Sequence, residues 1–237
     1  MRYLGLLGGM SWESTLHYYQ QINEGVRSRL GGLHSAPLLL HSVDFAPVAA
    51  RQRAGDWDAL GAQLAAAAQG LQRAGAAGVM LCTNTMHKLA PAIQAAVDLP
   101  LLHIADPTIA ALQAAGVQRV GLLGTRFTMD EAFYRDRLAA AGLQVLLPDE
   151  AGRSEVHRVI FDELCQGQVL PDSRTAYRRI IAAMQARGAE AVILGCTEIS
   201  MLLSPDDSPL PLFDTTALHA AAAVDWLLGS ETIGHEV

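Results

Sequence analysis

The chain has 237 residues, 51% of them hydrophobic and 17% charged, which is enough for one large domain or two small ones with a packed core and excludes a disordered or fibrous protein. Its net charge of −7 argues against a nucleic-acid partner, because phosphate binding needs a basic patch. No apolar run is long enough to span a bilayer, and no signal peptide is recognisable. The cysteines are odd in number and far apart, as in a reducing compartment. We therefore expect a soluble, cytoplasmic protein.

Short apolar runs alternate with longer helical stretches along the chain. The predicted strands cover residues 3–7, 37–42, 78–81, 101–103, 119–123, 144–147, 191–194 and 212–213. The predicted helices cover residues 14–30, 57–74, 130–140, 155–165, 175–187 and 214–228. This alternation is typical of βαβ units, so it predicts an α/β fold with mostly parallel sheets flanked by helices.

Two sequence patterns occur twice at nearly the same spacing. Residues 3–8 (YLGLLG) resemble 119–124 (RVGLLG), an offset of 116 from residue 8 to residue 124. Residues 78–85 (GVMLCTNT) resemble 191–198 (AVILGCTE), an offset of 113 from residue 83 to residue 196. The repeat predicts two similar lobes related by duplication, with a cleft between them where the strand ends face one another. We assign 1–104 to an N-terminal lobe, to which 209–237 return, and 105–208 to a C-terminal lobe.

Polar side chains follow three of the predicted strands. Residues 8–11, with Met10 and the helix-capping Ser11, join a strand to a helix and offer N–H groups to an anion, although a tight turn without a ligand explains them equally well. Residues 82–87 (CTNTMH) carry more hydrogen-bonding groups than a helix cap requires. Residues 195–198 (GCTE) occupy the matching place in the other half, where a helix N-terminus is expected to lower the pKa of Cys196.

Other site types have little support. The histidines lack the spacing of a metal site, the cysteines form no C-x-x-C pair, and no G-x-S-x-G motif indicates a serine hydrolase. The chain also lacks the glycine-rich loops that bind nucleotides.

Taken together, six segments resemble the aspartate/glutamate racemase family, and the likeness runs from the first strand to the last helix. They are residues 8–15, 31–36, 42–45, 82–87, 123–129 and 195–198. The resemblance implies an enzyme that moves the α-proton of an amino acid, aspartate or glutamate in the family's typical case, with no cofactor and no metal. It is closest to the branch of broad-specificity and L-aspartate/glutamate-specific racemases, and homodimers are common in the family.

The resemblance also implies roles for individual residues. Alignment on Asn84 and Thr85 places Thr83, rather than Cys82, opposite Cys196 as the pair that exchanges protons with the α-carbon from its two sides. Asn84, Thr85 and Thr197, with Thr125 as a weaker addition, are implied as donors that stabilise the carbanion's carboxylate. Because a hydroxyl is a much weaker acid than a thiol, Thr83 is expected to be a poor base.

The predicted side-chain pocket departs from the family pattern. Gln52 lies near the place of an arginine that binds the distal carboxylate in related aspartate racemases, and Cys165 falls where they have a lysine. Arg51 or Arg53 is a candidate replacement, and an exposed basic patch is an equally good interpretation of both. Loss of the cation weakens a strict preference for aspartate, because an unpaired buried carboxylate is costly.

Two other functions stay open from the sequence. Because the pair Thr83 and Cys196 contains one thiol rather than two, the chain also suits a decarboxylase or a cis–trans isomerase of the same superfamily. A non-catalytic sensor of small molecules is the alternative from another class.

Overall fold

A computed structural model of the chain describes residues 1–229. The strands are β1 (Leu4–Gly8), β2 (Leu38–Ser42), β3 (Gly78–Leu81), β4 (Leu101–Leu102), β5 (Arg119–Gly124), β6 (Gln144–Leu146), β7 (Ala191–Gly195) and β8 (Leu212–Asp214). The helices are α1 (Trp12–Leu30), α2 (Phe45–Ala54), α3 (Trp57–Arg73), α4 (Ala90–Ala96), α5 (Ala105–Ala114), α6 (Arg126–Asp130), α7 (Ala132–Ala140), α8 (Glu150–Asp162), α9 (Pro171–Ala186), α10 (Ile199–Leu202) and α11 (Thr215–Leu228). Short 3-10 turns follow β3, α8 and α10.

The strands form two parallel four-stranded sheets. Their orders are β2-β1-β3-β4 and β6-β5-β7-β8, so each strand of one sheet has a counterpart in the other. The repeated segments of the sequence are the central strands of both sheets, β1 with β5 and β3 with β7. The predicted two-lobed α/β architecture is confirmed.

Apolar helix faces cover both sides of the first sheet. On one side, α1 and α11 pack over β1 and β3 through a core that includes Tyr18, Ile22 and Val224. On the other side, α3 packs through Leu60, Leu64 and its small alanines. A larger core forms the second lobe around β5 and β7. No helix within residues 1–229 is long and apolar enough to cross a membrane.

Glycines allow the close approaches at the strand ends. Gly9 has φ +87°, and a Cβ there would lie 2.3 Å from the carbonyl oxygen of Val43. A Cβ on Gly195 would lie 2.9 Å from the carbonyl oxygen of Leu123. Only glycine fits these positions, so the backbone that leads to Cys196 is held tightly against β5.

The end of the chain connects the lobes, which corrects one predicted boundary. Residues 209–237 are predicted to return to the first lobe, but β8 pairs with β7 at the edge of the second sheet. The β8 segment extends the second sheet because its backbone groups pair there, whereas the apolar face of α11 packs against α1. Residues 230–237 lie outside the described part.

Several helices differ from the sequence prediction. The helices α2, α4 and α5 fall in segments with no predicted element, and each has a proline near its N-terminal end. The predicted helix 130–140 is divided, because Glu131 has extended backbone angles between α6 and α7.

Candidate active site

One narrow cavity of about 20 Å³ lies where the carboxyl ends of the two sheets meet. From the first lobe it is lined by Met10, Phe45, Gln52, Thr83, Asn84 and Thr85. From the second lobe it is lined by Thr125, Ile160, Phe161, Cys165, Gly195, Cys196, Thr197 and Glu198. The lining includes Met10, Gln52, Thr83, Asn84, Thr85, Thr125, Cys165, Cys196 and Thr197, which were all predicted from the sequence, but neither Arg51 nor Arg53. The two principal segments are the first-lobe turn, residues 82–85 after β3, and the second-lobe turn, residues 195–198 at the end of β7.

Glu198 organises the second-lobe turn. The Cys196 thiol and the Thr197 hydroxyl both donate to Glu198 Oε2, at 2.9 and 2.7 Å. The Ser11 hydroxyl, from the first lobe, donates to Glu198 Oε1 at 2.7 Å. The carboxylate is 3% exposed, so its charge is balanced by these donors rather than by water.

The pKa of Cys196 differs from the sequence prediction. Burial raises the pKa of the Cys196 thiol well above its usual range, and the neighbouring Glu198 carboxylate raises it further. The predicted lowering by a helix N-terminus is wrong, because α10 has only four residues and begins after Glu198. A helix of one turn contributes little dipole, so burial and the carboxylate dominate.

The first-lobe turn is held by a neutral histidine. The amide of Ile104 donates to His87 Nε2 at 3.1 Å, so the ring proton is on Nδ1, which donates to the Thr83 carbonyl oxygen at 2.7 Å. Burial lowers the pKa of His87 well below its usual range. The ring therefore fixes the backbone of Thr83, whose residue lines the cavity.

The two neighbouring residues Cys82 and Thr83 point in different directions. Cys82 is fully buried in the core beneath α1 and α11, and burial raises the pKa of its thiol. Thr83 lines the cavity and is 8% exposed. In the repeat, Cys82 matches Gly195 and Thr83 matches Cys196. The structure thus places the hydroxyl, rather than the adjacent thiol, in the position that corresponds to Cys196.

Hydroxyl groups also join the two lobes around the cavity. Thr85 Oγ1 lies 3.0 Å from Thr125 Oγ1 across the lobe boundary. Asn84 Nδ2 donates to Thr215 Oγ1 at 3.0 Å, and the Thr215 hydroxyl donates to the Leu194 carbonyl oxygen at 2.8 Å. Asn84 Oδ1 is buried and has no hydrogen-bond partner among the described residues. This acceptor can be satisfied by a donor from a ligand or from water.

Near Gln52 and Cys165, the lining of the cavity contains no basic side chain among the residues that the structure describes. Gln52 is buried and its Nε2 lies 3.0 Å from Met86 Sδ. Burial raises the pKa of Cys165. Arg51 donates to Gln63 outside the cavity, and Arg53 lines a separate surface pocket that shares the Phe161 wall. Neither arginine lines the cavity itself.

Sequence reasoning missed several lining residues. Glu198 stood in a recognised motif, but nothing in the sequence indicated its contact with Ser11, 187 positions away. Ile160 and Phe161 close the cavity from α8 and carried only the signal of an apolar helix face, whereas Phe45, in the 42–45 segment of the family resemblance, closes it from α2. Within residues 1–229, no cluster of three His, Cys, Asp or Glu side chains is arranged to hold a metal ion.

Comparison with known proteins gives consistent matches along the chain. The family model described as Asp/Glu/Hydantoin racemase matches residues 7–223. The broad specificity amino-acid racemase RacX of Bacillus subtilis (strain 168) is 24% identical over 232 residues, covering 97% of this chain and 100% of RacX. A crystal structure of a Yersinia pestis protein, assigned as an Asp/Glu racemase, is 50% identical with a TM-score of 0.90, covering 97% of this chain and 100% of that one. An aspartate racemase homologue from Pyrococcus horikoshii OT3 is 31% identical with a TM-score of 0.84 and the same coverage.

Proposed function

Because the chain belongs to the Asp/Glu/hydantoin racemase family, we propose that it interconverts the L and D forms of an amino acid by proton transfer through Thr83 and Cys196, without a cofactor. The family resemblance inferred from the sequence motifs is confirmed. The observation that carries the proposal is that a hydroxyl from the first-lobe turn and a thiol from the second-lobe turn line one cavity.

Inversion of a carbon requires groups on both of its faces. A single group that removed and restored the proton on one face would return the starting enantiomer. With the α-carbon between the lobes, Cys196 removes the proton of the L enantiomer and Thr83 delivers one to the opposite face. The reverse reaction starts at Thr83, whose hydroxyl is the weaker acid and whose alkoxide is scarce near neutral pH.

The carbanion needs donors for its carboxylate, since the α-proton of an amino acid is barely acidic. The second N–H of the Asn84 amide and the hydroxyl pair of Thr85 and Thr125 line the cavity and supply such donors. The Thr197 hydroxyl, expected in this role, is instead engaged by Glu198. The orphaned Asn84 Oδ1 suits the α-ammonium group of the substrate.

Aspartate and glutamate are the substrates that the family resemblance favours, and they are tested first. A cavity of about 20 Å³ holds roughly one water molecule, so the lobes or the phenylalanine walls must move to admit an amino acid. The absence of a basic residue among the described lining residues is the reason to include alanine and serine in the same test.

The direct test is incubation of the protein with each L-amino acid in D2O. We expect α-deuterium by NMR and the D isomer by chiral chromatography for at least one substrate. Cys82→Ala is the matched control, because Cys82 is a thiol outside the cavity and its loss should leave the reaction in place. A protein that gives neither α-deuterium nor D isomer with any amino acid of the panel is not a racemase.

A second candidate is decarboxylation of a substituted malonate. It is favoured by the lone thiol of the Thr83 and Cys196 pair, because protonation of one face requires only Cys196. Release of CO2 from such a malonate, without α-proton exchange on amino acids, would select this reaction over racemisation.

A further inference from the structure

The buried carboxylate of Glu198 accepts hydrogen bonds from three side-chain donors. The donors are the Ser11 hydroxyl on Oε1 and the Cys196 thiol and Thr197 hydroxyl on Oε2, at 2.7, 2.9 and 2.7 Å. Among the described residues that line the cavity, Glu198 is the only charged one. The carboxylate is therefore the one strong proton acceptor within reach of the Cys196 sulfur.

The geometry points to Glu198 as the group that takes the thiol proton of Cys196, an inference that rests on the proposed function. In this step the Sγ–H bond breaks, an Oε2–H bond forms along the existing hydrogen bond, and the electron pair stays on sulfur. The thiolate then removes the α-proton, so that a new Sγ–H bond forms as the Cα–H bond breaks. After Thr83 has given its proton to the carbanion, the proton on Glu198 leaves to solvent and Thr83 regains one from solvent. No atom is oxidised or reduced.

Charge conservation explains why a buried thiol needs this acceptor. A thiol with a carboxylate and a thiolate with a carboxylic acid both have a net charge of −1. Release of the thiol proton to water would instead leave two negative charges side by side in a dry cavity, which is costly. Ser11 and Thr197 can remain in place in both forms, because a hydroxyl rotates to donate or accept.

Proton transfer within the pair of Cys196 and Glu198 predicts how the amount of Cys196 thiolate depends on pH. While the pair shares one proton, its thiolate fraction is set by the internal equilibrium and does not change with pH. Without the carboxylate, thiolate forms only by loss of a proton to solvent, and its amount rises about tenfold per pH unit below the thiol pKa.

The experiment compares the wild type with Glu198→Gln and Glu198→Asp from about pH 6 to about pH 8.5. One readout is the rate of Cys196 alkylation by iodoacetamide, followed by peptide mass spectrometry that separates Cys196 from Cys82 and Cys165. The other is α-deuterium exchange of the best substrate. The alkylation readout remains interpretable if no substrate exchanges, so failure of the proposed function is distinguished from failure of this inference.

Glu163→Gln is the matched control variant. Glu163 is also a buried carboxylate of the second lobe, 6% exposed, but it binds Arg158 and Ser173 away from the cavity. Its replacement should lower stability and leave the pH profile of Cys196 unchanged.

We expect a flat profile for the wild type and for Glu163→Gln, and a profile rising about tenfold per pH unit for Glu198→Gln. Glu198→Asp should keep the flat profile at a reduced rate, since it retains a carboxylate with a shorter reach. Two results overturn the inference: a wild-type profile that rises like that of a free thiol, or a Glu198→Gln profile as flat as that of the wild type. The first applies even if Glu198→Gln does not fold.

Discussion

The first-lobe and second-lobe turns occupy equivalent places in the duplicated fold but have different chemistry. Each turn contacts a residue of the opposite lobe that caps the helix after that lobe's first strand. Thr85 contacts Thr125, which caps α6 after β5, and Glu198 contacts Ser11, which caps α1 after β1. In the repeat, Thr85 and Glu198 are matching positions. One crossing is between neutral hydroxyls and the other ends on a carboxylate that also binds the neighbouring thiol.

This difference shows how duplication can give two unlike proton-transfer groups from one backbone design. The matching ends of β3 and β7 set where both reactive side chains lie, whereas the residue two positions later sets the charge beside them. Thr83 has a neutral histidine behind its carbonyl, and Cys196 has an anion at its sulfur. The two sides of the cavity should therefore respond differently to substitution and to pH.

Removal of the Cys196 thiol should impair α-proton exchange most severely. Cys196→Ala should reduce α-deuterium exchange by about 10³-fold or more, because no other group on that side lies at the matching position. NMR in D2O measures the rate. A residual rate within a factor of a few of the wild type would show that Cys196 does not transfer the proton.

Acid should act on the first lobe through its histidines. Burial lowers the pKa of His219 to about 3 and of His103 to about 4, and both rings lie close to His87. Below about pH 6.5 the unfolded chain binds protons that the folded chain refuses, so stability falls as the pH drops from there towards 3 to 4.

The expected loss from His219 alone is about 2 kcal/mol at pH 5 relative to pH 7. Urea unfolding at the two pH values measures it. In His219→Gln, the dependence on pH should become weaker; an unchanged dependence would mean that other groups are responsible.

A thiol at position 83 would make the first-lobe turn resemble the second-lobe turn. Thr83→Cys replaces a poor acid with a thiol, so exchange starting from the D enantiomer should increase about tenfold. Deuterium incorporation into each enantiomer, measured at low conversion, tests this. A decrease for both enantiomers would indicate that the cavity requires the smaller hydroxyl at residue 83.

The smallest expected effect concerns the side-chain end of the cavity. Gln52→Arg places a cation in a lining that has none in the described chain, and it should raise kcat/KM for aspartate over alanine by about fivefold. Gln52→Met, of similar length but uncharged, is the control. Equal ratios in the two variants would place the substrate side chain elsewhere.

The repeat and the strands were predictable because short apolar runs bounded by glycine carry a strong local signal. The helices α2, α4 and α5 were not, since their proline-containing starts and alanine-rich faces resemble loops or featureless segments. Thr83, Asn84, Thr85, Cys196 and Thr197 line one cavity and lie in the motifs after β3 and β7, whereas Met10, Gln52, Thr125 and Cys165 reach it from other segments. Their proton-transfer and binding roles stay predictions.

The electrostatic environment of Cys196 could not be predicted from the sequence. The raised pKa of Cys196 arises from burial and from Glu198, and the sequence pattern suggested the opposite through a helix that proves to be one turn long. The link from Ser11 to Glu198 joins residues that only the folded arrangement of two lobes brings together.

The hydroxyl of Thr215 has a mechanical consequence. It is anchored to the end of β7 through Leu194 and to the first-lobe turn through Asn84, directly beside both reactive positions. A sliding motion of the lobes would break one of these bonds, whereas a swing about Thr215 preserves both.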